Sequence, residues 1–395
     1  MGLEETVKEL MKGVKNLDDL NRIFTDIKKK MIETAYDEEL KEHLGFDKSE
    51  NKEGGRKNYR NGTYSKTVKS KDGEIDLEVP RDRAGEFEPK ILPKGKRDIF
   101  GIEDKIIALY GSGMTTRDIS DNIKDIYGFE ISETTVSNIT SRVLEEAKEW
   151  QSRPLKEQYA VVFLDGMYFN IKNNGIVCKA SVYALIGVDM DGNKEVLGLY
   201  VGVSESAKYW LSVLNEIKTR GVREVFIFCT DNLAGIKDAI KAAYANSDQQ
   251  LCIVHQMRNS IKHLSHKDVK KVCEDLKSIY NASTEKLGYE ALEEFRKKWD
   301  YKYKYVGDSW ERNWVELSAF WKYPLEIRRL IYTTNPIEAF NRAMRKVTKT
   351  RGVFPSADAL LKCLFLGTRR LEKKWAKVRN WGEIYSQLLI IFNKN

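Results

Sequence analysis

Polar and apolar positions change rhythm several times along the chain, and each change marks a different kind of element. Over residues 1–45, apolar positions such as Leu17, Leu20, Ile23 and Ile27 recur at helical spacing among charges. That predicts a small helical segment or an oligomerisation arm. Lys66–Val68 and Glu74–Val79 alternate like the two strands of a hairpin turning at Asp72-Gly73. Residues 98–150 return to helical spacing in three pieces, Ile102–Tyr110, Thr115–Tyr127 and Glu133–Trp150, with a GSGM break after the first and Ser132 as N-cap of the third. From Tyr159 the period drops to two. AVVFLDGMYFNI, CKASVYALIGVD and EVLGLYVGVS are separated at Asn173-Asn174-Gly175 and Asp191-Gly192-Asn193, which predicts an antiparallel meander. A helix follows at Ala207–Thr219, then a continuously apolar strand, Glu224–Cys229, ending in Thr230-Asp231. A second helix is expected from about Leu233 and a fifth strand at Gln250–Val254.

The order β-β-β-α-β-α-β is that of an RNase H-like fold, in which the first and fourth strands are neighbours at the centre of the sheet. The expected fold class is therefore an α/β core of RNase H-like type, a mixed five-stranded sheet with flanking helices. An all-α insertion and a helical N-terminal DNA-binding region accompany it. The expected divisions are a helical segment at 1–45, a basic β-hairpin and linker at 46–97, and a helix-turn-helix-like domain at 98–150. The first part of the core follows at 151–259, a helical insertion at 260–325, and the rest of the core at 326–395. The insertion holds Trp299, Trp310, Trp314 and Trp321. Tryptophan clusters pack by default. Trp321, nearest in sequence to the helix that follows, is the candidate for stacking on an unpaired base.

That following helix opens TTNPIEAFN. Asn335 suits the cap, Pro336 the first helical position, and Glu338 falls in the first turn. Arg342, Arg345, Lys346 and Lys349 continue on roughly one face, with Arg351 just beyond. Taken alone, this pattern is more often a cap followed by solvated charges. Two aspartates tilt the balance. Asp165 interrupts an apolar strand, where an unpaired buried charge costs several kcal/mol, and Asp231 ends the fourth strand. Three clustered carboxylates repel unless they hold cations. With two Mg²⁺ or Mn²⁺ ions per site, they would form a phosphoryl-transfer centre.

Charge points to the same partner. The net charge is +8, yet between Asn341 and Asn380 alone twelve Lys/Arg stand against Asp358 and Glu372. Such a local excess predicts a polyanion, with nucleic acid ahead of a membrane surface. The basic hairpin region with Tyr59 and Tyr64 could lie on DNA backbone or be a solvated turn. In the helical region, Thr134, Thr135, Asn138 and Arg142 would face outward to DNA if the last two helices form a helix-turn-helix, and an ordinary helical hairpin is the alternative. No apolar run approaches a membrane span, and the five dispersed cysteines read as reduced thiols of a cytosolic protein. Cys252-x-x-His255 with His263, His266 and Cys273 invites zinc, but the spacing is short and the first pair begins on a strand. An active-site-facing His255 beside a buried Cys252 is the preferred reading, with His263 and His266 at the surface.

These segments together resemble one family. RNGTYSKTV, IDLEVPRDRAGEFEPKILPK, FLDGMYFNIK, TDNLAGIKDAI, QLCIVHQMRN and FWKYPLEIRRLIYTTNPIEAFNRAMRKVTKTRGVFPS are similar to strings in the Mutator-type bacterial insertion-sequence transposases, over nearly the whole chain. The resemblance implies an RNase H-like domain with an Asp-Asp-Glu triad at Asp165, Asp231 and Glu338 and a helical insertion before the glutamate. It also implies the Cys/Asp-x-x-His element at Cys252 and His255, with Arg258 among the DNA-facing cations. Gly166 stands where that family more often has alanine, which would loosen the strand. The partners implied are double-stranded DNA, both terminal inverted repeats and target, and a homodimer or larger assembly on DNA. A cytoplasmic, nucleoid-associated prokaryotic protein is expected. A domesticated non-catalytic regulator, or a nuclease that cleaves without joining, would share most of these features.

Overall fold

The protein was analysed as a computed structural model, which describes residues 11–47, 58–70, 73–94, 101–127, 129–202, 206–333 and 336–392. Asp72 of the expected hairpin turn and the expected cap Asn335 lie outside them. The chain forms two compact units, residues 1–110 with 114–141 and residues 111–113 with 142–395.

In the first unit, helix α1 (Leu17–Leu44) starts at Asn16, whose side chain accepts the Asp19 N–H, and ends at Gly45 in the left-handed region. Its Tyr36 packs on a hairpin of β1 (Arg60–Ser70) and β2 (Gly73–Asp82), where Ile75, Leu77 and Val79 alternate inward. The hairpin is longer than its alternation predicts. Tyr64 rests against this core and Arg60 pairs with Asp37 at 3.0 Å, so two side chains from the stretch read as either a DNA-backbone contact or a solvated turn serve the unit itself. Helices α2 (Ile102–Gly111), α3 (Thr116–Tyr127) and α4 (Glu133–Ser152) follow, the last begun by Ser132, whose Oγ accepts the Thr135 N–H at 3.1 Å. Val136 and Ile139 of α4 are buried.

The second unit is built on a mixed five-stranded sheet: β3 (Gln158–Asn173), β4 (Ile176–Asp189), β5 (Lys194–Gly202), β6 (Glu224–Thr230) and β7 (Asp248–Leu251), in the order β5-β4-β3-β6-β7. The first three strands form the expected antiparallel meander, and β6 pairs with β3 in parallel. Helices α5 (Ala207–Thr219) and α6 (Ile236–Ala243) cross over on one face. There Trp210, Leu214, Ile217 and Ile240 bury against Tyr159, Val162, Leu164, Tyr183 and Phe228 of the sheet. Burial on this scale stabilises each large side chain by about 1.5–3 kcal/mol.

One element differs from expectation. The fifth strand stops at Leu251, and residues 253–261 form helix α7 (Ile253–Ile261) with Cys252 at its N-cap position. The short strand pairs only with the end of β6, and the Cys252 N–H goes to the Thr230 carbonyl. A helical run with α8 (His266–Tyr280), α9 (Glu285–Arg312) and α10 (Trp314–Leu317) follows. After α11 (Leu325–Arg328), the glutamate helix α12 (Pro336–Thr348) begins at Pro336 as predicted. Helices α13 (Ala357–Glu372) and α14 (Trp381–Phe392) complete the unit.

Two anchors fix the far end of α12. Past it, Phe354 donates its N–H to the Asn170 carbonyl and accepts the Lys172 N–H, so the chain hooks onto β3. The Gly113 carbonyl accepts from Thr350 Oγ1 at 2.8 Å and Arg351 Nε at 3.0 Å. Gly113 has φ +99°, and a Cβ there would lie 2.0 Å from the Val347 carbonyl oxygen. Only glycine satisfies both conditions. Gly113→Ala should therefore destabilise the protein by about 1–3 kcal/mol from backbone strain alone, with the clash in addition. Thermal unfolding checks this, and a melting temperature equal to the parent's would refute the anchoring role.

Candidate active site

Strand register sets the site. Leu164 of β3 pairs with Thr230 of β6, so the next residue on each chain, Asp165 and Asp231, emerges side by side where the parallel pairing ends. Asp165 is 4% exposed. Burial, and then the neighbouring Asp231 carboxylate within hydrogen-bonding reach, push its carboxyl up to about 8. One oxygen accepts the Gly166 N–H at 2.7 Å, and the other accepts from Asn341 Nδ2 at 2.5 Å. The missing side chain at Gly166 also has a packing reason, because a Cβ there would meet the Tyr183 ring at 3.1 Å. The glycine accommodates that ring.

Asp231 faces His255. The α7 helix brings the imidazole Nδ1 into ion-pair contact with Asp231 Oδ1. Burial works against charge on this ring, but Asp231 and Cys252 outweigh it and raise its pKa to about 10. Arg258, one turn further along α7, sets the other edge of the ring: its Nη1 lies 3.1 Å from His255 Nε2. A ring with its pKa at about 10 is protonated on both nitrogens near neutral pH, and its Nδ1–H points to Asp231. Arg258 Nη2 then donates to Glu338 at 2.9 Å. Glu338 and Asn341 stand three residues apart on α12. The polar contacts thus close a circuit from Asn341 through Asp165, Asp231, His255 and Arg258 to Glu338.

Two small cavities flank this circuit. One, of about 160 Å³, is lined by Asp165, Arg258, Glu338, Asn341, Arg342 and Arg345. The other, of about 220 Å³, includes Asp231, Cys252, His255 and Tyr168. Glu338 therefore opens onto the cavity of Asp165, while Arg258 engages it. Among the described residues, the one group of three potential ligands with atoms within 4.8 Å of one another is Asp231, Cys252 and His255. His263 and His266 are exposed and outside it, as expected.

The remaining expected contacts separate into two kinds. Arg342, Arg345, Lys346 and Lys349 are exposed. Arg351 is not. It is buried, its Nε bonded to Gly113 and its guanidinium 5.5 Å from the Phe354 ring centre, so it serves the fold and departs from the expected phosphate rail. Trp321 likewise packs. Its Nε1 donates to the Ala282 carbonyl at 3.0 Å, Phe320 lies 4.2 Å from it ring to ring, and a Cβ on Gly288 would strike it. Thr134, Thr135, Asn138 and Arg142 are all exposed on α4. His255 sits on a helix and not at a strand end, because the fifth strand is short. Asn341 was not singled out from the sequence, although its place three residues after Glu338, on the same helical face, was the available signal.

Because the folded Asp165 holds its proton above the ordinary value of 3.8, the stability it contributes is present below about pH 4. That contribution is lost as pH rises through about 8. In metal-free protein, the melting temperature should therefore fall across this window more steeply than in Asp165→Asn. Equal slopes in the two proteins would show that the carboxylate pair is not strained.

Comparison with known proteins gives one family over nearly the whole chain. Residues 3–378 match the family described as Transposase, Mutator family. A Sinorhizobium fredii protein described as a probable transposase for insertion sequence element ISRM3-like is 40% identical over 374 residues, covering 94% of this chain and 93% of its own. The Rhizobium meliloti transposase for ISRM3 is 39% identical over the same shares. The Lactococcus lactis transposase for IS905 is 33% identical over 89% of this chain and 90% of its own.

Proposed function

The chain belongs to the Mutator family of transposases, and from that premise we propose that it is the DNA transposase of an insertion sequence with an RNase H-like Asp-Asp-Glu centre. It would bind the terminal inverted repeats, cleave a strand at each end, and join the released 3′-hydroxyl to another phosphodiester. The observation that carries this reading is the Leu164–Thr230 register, which sets Asp165 beside Asp231 with Glu338 opening onto the same cavity.

The residues fit a divalent cation. Asp165 is buried against a second carboxylate, with only the neutral Asn341 side chain and a backbone N–H bonded to it, so its carboxyl holds a proton that a cation would displace. The carboxylate oxygens of the three acids suit Mg²⁺ or Mn²⁺. Two such ions, held by Asp165, Asp231 and Glu338, would supply the Lewis acidity that activates the attacking oxygen and neutralises the leaving one.

The protein's own groups do the rest. Arg258, paired with Glu338 in the structure, would give it up where Glu338 holds a cation and would then meet a phosphate. His255 holds Asp231 in a fixed orientation through Nδ1–H. Arg342 and Arg345, lining the cavity beside Glu338, draw the scissile phosphate towards three acids that would otherwise repel it. Thr134, Thr135, Asn138 and Arg142 would read the inverted repeat from α4. Since two ends must be held together, a dimer or larger assembly on DNA is expected.

Asp165→Ala, Asp231→Ala and Glu338→Ala should each abolish Mg²⁺-dependent cleavage of a labelled transposon-end duplex while leaving its binding intact. Joined products in the parent identify a transposase. Cleavage without joining points to a nuclease, and binding without either to a regulator. Unimpaired cleavage in all three variants would sink the triad.

Neutralising the exposed cations Arg342, Arg345, Lys346 or Lys349 to Gln should flatten the dependence of log affinity on log salt by about 0.9 per lost phosphate contact. Arg351→Gln should lower the melting temperature instead. A salt slope unchanged by all four exposed substitutions would place the DNA elsewhere.

A further inference from the structure

We propose that Asn341 is a fourth oxygen donor of the centre formed by Asp165, Asp231 and Glu338: its side-chain nitrogen fixes Asp165, and its side-chain oxygen is left for a divalent cation. The inference rests on the metal-dependent reading above and adds to it a residue outside the acidic triad. Asn341 is 2% exposed, and its Nδ2 donates to Asp165 Oδ2. Its Oδ1 is buried and has no hydrogen-bond partner among the described residues. A buried amide oxygen left unpaired is costly and calls for a specific explanation.

Position supplies one. Asn341 lines the same cavity as Asp165 and Glu338, and it follows Glu338 by three residues, on the same helical face. An amide oxygen is a hard, neutral donor of the kind Mg²⁺ and Mn²⁺ accept. Neutrality matters here. A fourth carboxylate would add to the repulsion that already raises Asp165, whereas an amide adds a ligand and an N–H donor without adding charge. The orphaned oxygen and the bonded nitrogen are then two halves of one role.

The test uses the full chain and Mn²⁺, with free Mn²⁺ followed by electron paramagnetic resonance and metal-induced stabilisation followed by thermal unfolding. Asn341→Ala should bind Mn²⁺ about 10–100-fold more weakly and lose most of the metal-induced rise in melting temperature, with unchanged circular dichroism. Asn341→Asp, which keeps an oxygen and loses the N–H, should bind at least as tightly as the parent. Its metal-free destabilisation should be reversed by Mn²⁺. Parent-like affinity in Asn341→Ala overturns the inference. So does a loss in Asn341→Asp equal to that in Asn341→Ala, because only the N–H on Asp165 would then matter. Should Asn341→Ala fail to fold, Asn341→Asp decides alone. Asp165→Asn is the reference: if it too leaves Mn²⁺ binding intact, the reading of the whole centre fails, and not the part given to Asn341.

Discussion

Asp165 and Asp231 are set side by side by backbone hydrogen bonds, against the repulsion between their own charges. The parallel pairing of β3 with β6 ends at Leu164 and Thr230, and the next residues have nowhere else to go. Trp210, Leu214 and Ile240 press the sheet from one face, so the strands cannot slide to relieve the acids. Burial, and then the Asp231 carboxylate beside it, hold the Asp165 carboxyl up to about 8. The surrounding polar groups answer that imposed strain.

The glutamate helix reaches the same place by a different route. It is a separate segment more than a hundred residues downstream of Asp231, so local sequence cannot aim it. The hook of Phe354 onto β3, the strand that carries Asp165, supplies the aim, and the Gly113 carbonyl holds Thr350 and Arg351 just before it. Glu338 is thereby fixed relative to Asp165 by hydrogen bonds formed at the opposite end of its helix. Arg351 fits this division of labour. It lies beyond the regular face of the helix, and its charge and planarity serve the clamp.

Much of this was legible in residue order, and the reasons are physical. Asp165 in an apolar strand and Asp231 after a continuously apolar one stand out because strands disfavour buried charge. The meander is visible through its Asn-Gly and Asp-Gly turns, which only certain residues can form. Pro336 marks its helix start by its fixed φ. What was hidden depends on tertiary contact. Gln250–Val254 is apolar enough for a strand, but the partner strand ends at Thr230, so the chain turns helical at Ile253 and carries His255 and Arg258 with it. Arg351 looks like a free surface cation in sequence, and only packing shows what it touches; Trp321 takes the packing role that is a tryptophan cluster's default. Asn341 carries no charge and so gave no electrostatic signal at all.

The closed polar circuit also explains which acid governs the site. Asp231 already has His255 against it, and Glu338 already has Arg258. Each of those carboxylates is met by a group that can carry or share positive charge. Asp165 alone receives only neutral donors, Asn341 Nδ2 and the Gly166 N–H. On the proposed metal-dependent reading, demand for a cation would therefore concentrate at the deepest of the three acids, on the strand to which the end of the glutamate helix is hooked. Arg258 and His255 would act as stand-ins that keep the outer two acids in place until a cation satisfies the inner one. Such an arrangement can fold without a cation, because the innermost carboxyl holds its proton while the outer two are paired.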